Sequence, residues 1–67
     1  MTEYWLIPAG VIKSRENARI ILAPTRGAAL TAYEQEQQEY PAELELFEIT
    51  RNRRGAIRRA VKIGGRK

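Results

Sequence analysis

The chain has 67 residues and a net charge of +4, from 12 basic and 8 acidic residues, with no Cys and no His. That composition excludes disulfides and thiolate metal centres, and it removes the usual general base and the commonest transition-metal ligand. The longest apolar runs, such as Tyr4-Trp5-Leu6-Ile7, are far too short to cross a bilayer as a helix.

Thr2 to Ile7 is rich in aromatic and branched residues and reads as a strand, interrupted by Pro8 and Gly10. Val11-Ile12-Lys13 is expected to continue it beyond a kink, and Ser14-Arg15-Glu16-Asn17 is a polar turn. Ala18 to Ala23 reads as a second strand, with Ile20 and Leu22 on one face and Arg19 and Ile21 on the other. Strict alternation puts Tyr4 and Leu6 on the face opposite Trp5 and Ile7. The pattern leaves open which of Tyr4 and Trp5 is buried.

Pro24 ends the second strand and Thr25 is a helix N-cap, since its hydroxyl can accept a backbone N–H of the first turn. The helix is expected from Arg26 to about Glu39 and stops before Pro41, because the residue preceding proline avoids the α region. Its apolar stripe is thin: Ala29, Leu30, Ala32, Tyr33 and Tyr40. Such a helix needs a sheet to lie on, and Leu44, Leu46, Val61, Ile63, Ile20 and Leu22 are the expected floor.

Residues 42–64 read as a β-hairpin closed by Asn52-Arg53-Arg54-Gly55. This is type I turn chemistry, with Asn first and Gly at a left-handed bulge position. With Arg53 and Arg54 at the tip, counting outward pairs Leu44 with Ile63, Leu46 with Val61, Glu48 with Arg59 and Thr50 with Ile57 on a core face. Glu45–Lys62, Phe47–Ala60, Ile49–Arg58 and Arg51–Ala56 fall on an outer face. A bulge would shift this register by one and exchange the faces.

The fold expected is a small two-layer α+β domain: an antiparallel sheet in the order ββαββ, or βαββ, with one helix on one face. The domain is expected over residues 1–63, followed by a flexible basic tail over residues 64–67. Residues this few bury only about 60% of their unfolded surface, so a homodimer through an edge strand is also expected.

Charge is segregated. Residues 34–50 hold six Glu and no Lys or Arg, whereas residues 51–67 hold eight Lys or Arg and no acid. Two explanations compete: an acidic arm that neutralises a basic arm across the hairpin, or a basic surface made for an acidic partner. The candidate binding residues are Arg51, Arg53, Arg54, Arg58, Lys62, Arg66, Lys67 and Phe47. Arginine outnumbers lysine, and its planar fork suits bidentate contact with phosphate or carboxylate.

No catalytic site is expected. The single Ser, Ser14, has no His to activate it, and neither GxxxxGK[ST] nor GxGxxG is present. No metal site or cofactor is expected either. The leading expectation is a non-catalytic basic module that engages nucleic-acid phosphates through the C-terminal hairpin. The alternative is a small protein-binding inhibitor or adaptor of the phage or mobile-element accessory kind, for example one that blocks a host nucleic-acid-binding or defence complex. The partner is therefore nucleic acid or an acidic protein surface, with no membrane. A cytoplasmic location is expected from the absence of Cys and of a signal-peptide pattern.

Overall fold

The computed structural model describes residues 1–65. Its elements are β1 (Thr2–Pro8), β2 (Arg19–Ala23), α1 (Arg26–Glu39), β3 (Leu44–Arg51) and β4 (Ile57–Gly64), with one short 3-10 turn at Arg15–Asn17. The strands form a single antiparallel sheet in the order β2-β1-β3-β4, so the domain is ββαββ. The two hairpins of the sequence thus lie side by side, with β1 and β3 central and β2 and β4 at the edges.

Local chemistry sets the boundaries. β1 ends at Pro8 and the chain turns away at Ala9-Gly10. Val11-Ile12-Lys13 therefore joins the long first-hairpin loop instead of extending the strand. Thr25 Oγ1 accepts the Ala28 N–H at 3.1 Å, which caps α1, and the Tyr40 N–H closes the last turn on the Glu36 carbonyl at 3.0 Å. Gln37 then fastens the helix to the next strand. Its amide N–H donates to the Ala42 carbonyl at 2.8 Å and its Oε1 accepts the Leu44 N–H at 2.7 Å.

The second hairpin closes as its turn residues dictate. The Gly55 N–H reaches the Asn52 carbonyl at 3.0 Å, and Asn52 Oδ1 accepts from the N–H groups of Arg54 at 2.9 Å and Ala56 at 3.0 Å. Gly55 has φ +84°, the left-handed conformation that glycine adopts without steric cost. The bulge at this turn puts Ile57 opposite Arg51, one place beyond the simple count. A second irregularity between Thr50 and Arg51 adds another place, so Arg59 faces Thr50 and Val61 faces Glu48. Two slips in the same sense restore the original faces for Arg59 to Lys62 but change their directly opposite partners, and a further irregularity between Leu46 and Phe47 sets Gly64 opposite Leu46. Glu48 is therefore not opposite Arg59.

Both faces of the sheet are buried at its centre. On the helix side, Tyr4, Leu6, Ala23, Leu44 and Leu46 pack with Ala29 and against Leu30, Tyr33, Ile21 and Ile63. A close approach completes this layer: a Cβ at Gly64 would lie 3.3 Å from Leu46 Cβ and 3.4 Å from atoms of Leu30 and Tyr33. On the other side, Trp5, Ile7, Phe47 and Ile49 form a second cluster, with Ala18 packed against it. Lys13 lies above the Phe47 ring at 5.7 Å. The loop between β1 and β2 thus roofs the face expected to be open, and Tyr4 and Trp5 are both buried, on opposite sides.

Several expected core positions change. The register of β2 directs Ile21 and Ala23, not Ile20 and Leu22, toward the helix. Ile20 and Leu22 remain 39% and 63% exposed. Leu44 and Leu46 are buried as expected and Ile63 is half-buried, but Val61 is 37% exposed, because α1 meets β4 only near Ile63 and Gly64. Gly64 belongs to β4 and not to a tail. Arg66 and Lys67 lie outside the described residues. Among the described residues no helix is long and apolar enough to cross a membrane.

Candidate functional site

The distribution of ion pairs decides which charges are available. Glu3 accepts from Arg51 through both carboxylate oxygens, Nε to Oε1 at 2.7 Å and Nη2 to Oε2 at 3.0 Å. The Trp5 indole N–H donates to Oε2 at 2.6 Å. These hydrogen bonds, from Arg51 first and Trp5 second, lower the Glu3 carboxyl to about 2. Arg51 also donates from Nη1 to the Gly55 carbonyl at 2.6 Å. It therefore ties the start of β1 to the base of the hairpin turn.

Glu45 lies between two lysines. Lys62 Nζ donates to Oε2 at 2.9 Å, and Lys13 Nζ stands 3.1 Å from Oε1. The two ammonium groups, Lys62 ahead of Lys13, hold this carboxyl below the usual carboxylate range. Arg26, at the start of α1, donates to Glu48 Oε1 at 2.9 Å, and Arg19 on β2 pairs with Glu36 on α1 at 2.9 Å. Of the two pairs expected across the hairpin, Glu45–Lys62 forms. Glu48–Arg59 does not, because the doubled slip carries Arg59 to Thr50 and leaves Glu48 to the helix.

The acids of β3 are thus taken up by Lys13, Arg26 and Lys62. Arg53, Arg54, Arg58 and Arg59 make no ion pair or side-chain hydrogen bond among the described residues, and all four are exposed. Arg53 and Arg54 cap the tip. Arg58 stands at the second irregularity, on the Trp5 side of the sheet, and Arg59 points to the helix side. Residues 57–62 of β4 are exposed throughout, so the edge strand offers both faces and its outward backbone.

The acidic helix segment stands at the other end. Gln37 fixes the C-terminal half of α1, which carries Glu34, Glu36 and Glu39, beside Leu44 at the start of β3. The arginine tip follows the far end of β3, roughly 25 Å away at the rise of an extended strand. The helix N-terminus, with its partial positive charge and with Arg26, points toward the arginine end near Glu48. Among the described residues, the helix Glu run and the arginine tip therefore stand at opposite ends of the strands.

The sequence-predicted residues therefore separate into groups. Arg53, Arg54 and Arg58 share the projecting edge. Lys62 lies on the same strand but bonds Glu45, and Arg51 is engaged by Glu3 and the Gly55 carbonyl. Phe47, expected on an open outer face, is buried under the first-hairpin loop at 9% exposure. Arg66 and Lys67 fall outside the described residues. Arg59 was missed because the simple register gave it a partner. The Asn52–Gly55 turn signalled one slip, but nothing local announced the second. Among the described residues no three His, Cys, Asp or Glu side chains converge as metal ligands would. No known protein family matches this chain, and no curated protein or solved structure shows significant similarity to it.

Proposed function

We propose that this chain is a non-catalytic binding module whose C-terminal hairpin engages nucleic-acid phosphates. The observation that carries this reading is the set of four arginines, Arg53, Arg54, Arg58 and Arg59, left without acidic partners on a projecting edge. Each is a planar, permanently charged fork with bonding capacity to spare, and phosphate oxygens match that geometry. The Glu run at the opposite end of the sheet keeps its repulsion away from this edge. β3 is held by β1 from Leu44 to Ile49, so the open parts of the hairpin are its turn and the β4 edge, and an arginine-tipped turn can follow a phosphate backbone. Phosphate contacts of this kind position a protein without reading bases, so weak sequence preference is expected. A cysteine-free chain of this kind suits a reducing cytoplasm.

The test is titration of labelled duplex and single-stranded oligonucleotides at low ionic strength, followed by fluorescence anisotropy. Binding should fall log-linearly with salt, with a slope near −0.9 per duplex phosphate contact. Changing Arg53, Arg54 and Arg58 together to Glu should abolish it while the circular dichroism spectrum stays unchanged. No binding at any ionic strength would discard the reading.

One observation favours a second reading. β4 is a sheet edge with outward backbone donors and acceptors, and it also exposes Ile57 and Val61, at 43% and 37%. A small inhibitor or adaptor would use those features to meet a protein surface, with the same arginines on carboxylates. In that case capture of an acidic protein from lysate would survive nuclease treatment, and free oligonucleotide would not displace it.

A further inference from the structure

The two edges of the sheet are built differently. β4 carries Arg58, Arg59 and Lys62 and contains two irregularities, which are the usual devices that stop an edge from pairing with another chain. β2 has no irregularity and a single charge. Its sequence Arg19-Ile20-Ile21-Leu22-Ala23 has no Pro, Gly or Lys, every residue retains its N–H, and its pairing with β1 is regular from Leu6↔Arg19 to Thr2↔Ala23. Its one charge, Arg19, is engaged by Glu36 at 2.9 Å. On the side away from the helix it leaves Ile20 39% and Leu22 63% exposed. An unprotected apolar edge in an otherwise well-protected sheet calls for a cover.

We propose that β2 is the subunit contact of a two-fold homodimer, in which two copies join edge to edge into one continuous antiparallel sheet. The occupant follows from self-complementarity. In the antiparallel register centred on Ile21, Ile20 of one copy meets Leu22 of the other, and Leu22 meets Ile20. Each large exposed side chain then gains an apolar cross-strand neighbour. Arg19 falls opposite Ala23, so the two arginines stay apart and each keeps its Glu36. The axis is perpendicular to the sheet, which keeps the apolar side chains on one face, and the interface closes on itself.

Electrostatics rejects the competing edge. A β4–β4 pair would bring two strands bearing three cations each, and no acid, to within about 5 Å. Joining at β2 instead places the two arginine hairpins on the two outermost strands. The inference does not depend on what those arginines bind, because β2 and β4 are opposite edges of the sheet.

The contact is a short strand, well below the usual area of a tight interface, so association is expected in the micromolar range. Sedimentation equilibrium from low to high micromolar concentration should show a shift from 7.7 kDa to twice that mass. Leu22→Lys, at a side chain already mostly exposed, should raise the dissociation constant more than about tenfold by placing a charge against an apolar neighbour. Val61→Lys, on the other edge, should leave the dimer intact. Because the chain has no Cys, Ile21→Cys supplies one thiol per copy and should oxidise to a covalent dimer, as directly opposed strand residues lie within disulfide reach. A wild-type mass of 7.7 kDa at every concentration overturns the proposal. So does a dimer that survives Leu22→Lys but is lost in Val61→Lys.

Discussion

β3 and β4 are arms of one hairpin with similar shares of apolar residues, and they end in opposite circumstances. β3 buries Leu44 and Leu46 against the helix and Phe47 and Ile49 against the first-hairpin loop, whereas β4 leaves residues 57–62 exposed on both sides. Apolar content does not explain this, because β4 has Ile57, Ala60, Val61 and Ile63. Place in the sheet does. β3 lies between two strands and under two layers, and β4 extends past the helix. A hairpin read by itself has a core face and an outer face. Inserted into this sheet it has a buried arm and a free arm, and the free arm is the one that holds unpaired charge.

The widest separation between the arms should appear on truncating side chains. Phe47→Ala should destabilise by about 3–5 kcal/mol and Leu46→Ala by about 2–5 kcal/mol, since each removes a buried side chain that the surroundings can only partly replace. Val61→Ala should cost under about 1 kcal/mol. Chemical denaturation of the three variants measures this. A Phe47→Ala protein as stable as the wild type would mean that the loop over residues 9–18 does not roof the second face.

How legible this was depends on the range of the interactions. The Asn52–Gly55 turn, the Thr25 cap and the stop before Pro41 were readable because each is settled within a few residues. They left two orders, ββαββ and βαββ, and the structure has the first. The register was not readable, because the second slip near Arg51 depends on how the strands twist together and leaves no composition signal. The roof over Trp5 and Phe47 was hidden for a related reason: residues 9–18 cover it with an irregular loop, and irregular structure has no periodicity to detect. That Ile21, half-buried, turns toward the helix in place of Ile20 reflects the pairing of β2 with β1, a tertiary fact. At the site, Arg53, Arg54 and Arg58 were visible as charge. That Arg59 is unpaired and Arg51 is paired could be known only from the register and from Glu3, 48 positions away in the chain.

Acid should separate the arms next. Glu3 is held at about 2, against an ordinary 4.5, by Arg51 on β3 and by the Trp5 indole. Glu45 is also lowered, by Lys62 and then Lys13. A carboxyl depressed by folding contributes stability that is fully present above its unfolded value and is lost as pH falls through the folded one. The melting temperature should therefore hold down to about pH 4.5 and then decline toward pH 2. Glu3→Gln should melt lower at neutral pH and lose less on acidification, with the Glu45 contribution remaining. If Glu3→Gln matched the wild type across this range, the clasp between β1 and the hairpin base would carry no weight.

The smallest effect on stability, and the most informative for function, is expected at the arginines themselves. Arg58→Gln and Arg59→Gln remove side chains that touch no acid, so each should change stability by under about 0.5 kcal/mol. Arg51→Gln removes both bonds to Glu3 and the bond to the Gly55 carbonyl, so its melting temperature should fall visibly. On duplex DNA the order reverses. Arg58→Gln and Arg59→Gln should each reduce the salt slope by about 0.9, the value for one lost phosphate contact, while Arg51→Gln should leave the slope unchanged at temperatures where it is folded. Arg58 and Arg59 point to opposite sides of the sheet, so equal losses would mean that the phosphates run along the strand edge and reach both. A loss at Arg58 alone would put the ligand over the first-hairpin loop, and a loss at Arg59 alone would put it beside the N-terminus of α1. A reduced slope in Arg51→Gln with none in the other two would show that the paired arginine binds and the unpaired ones do not, which would remove the observation on which the proposed function rests.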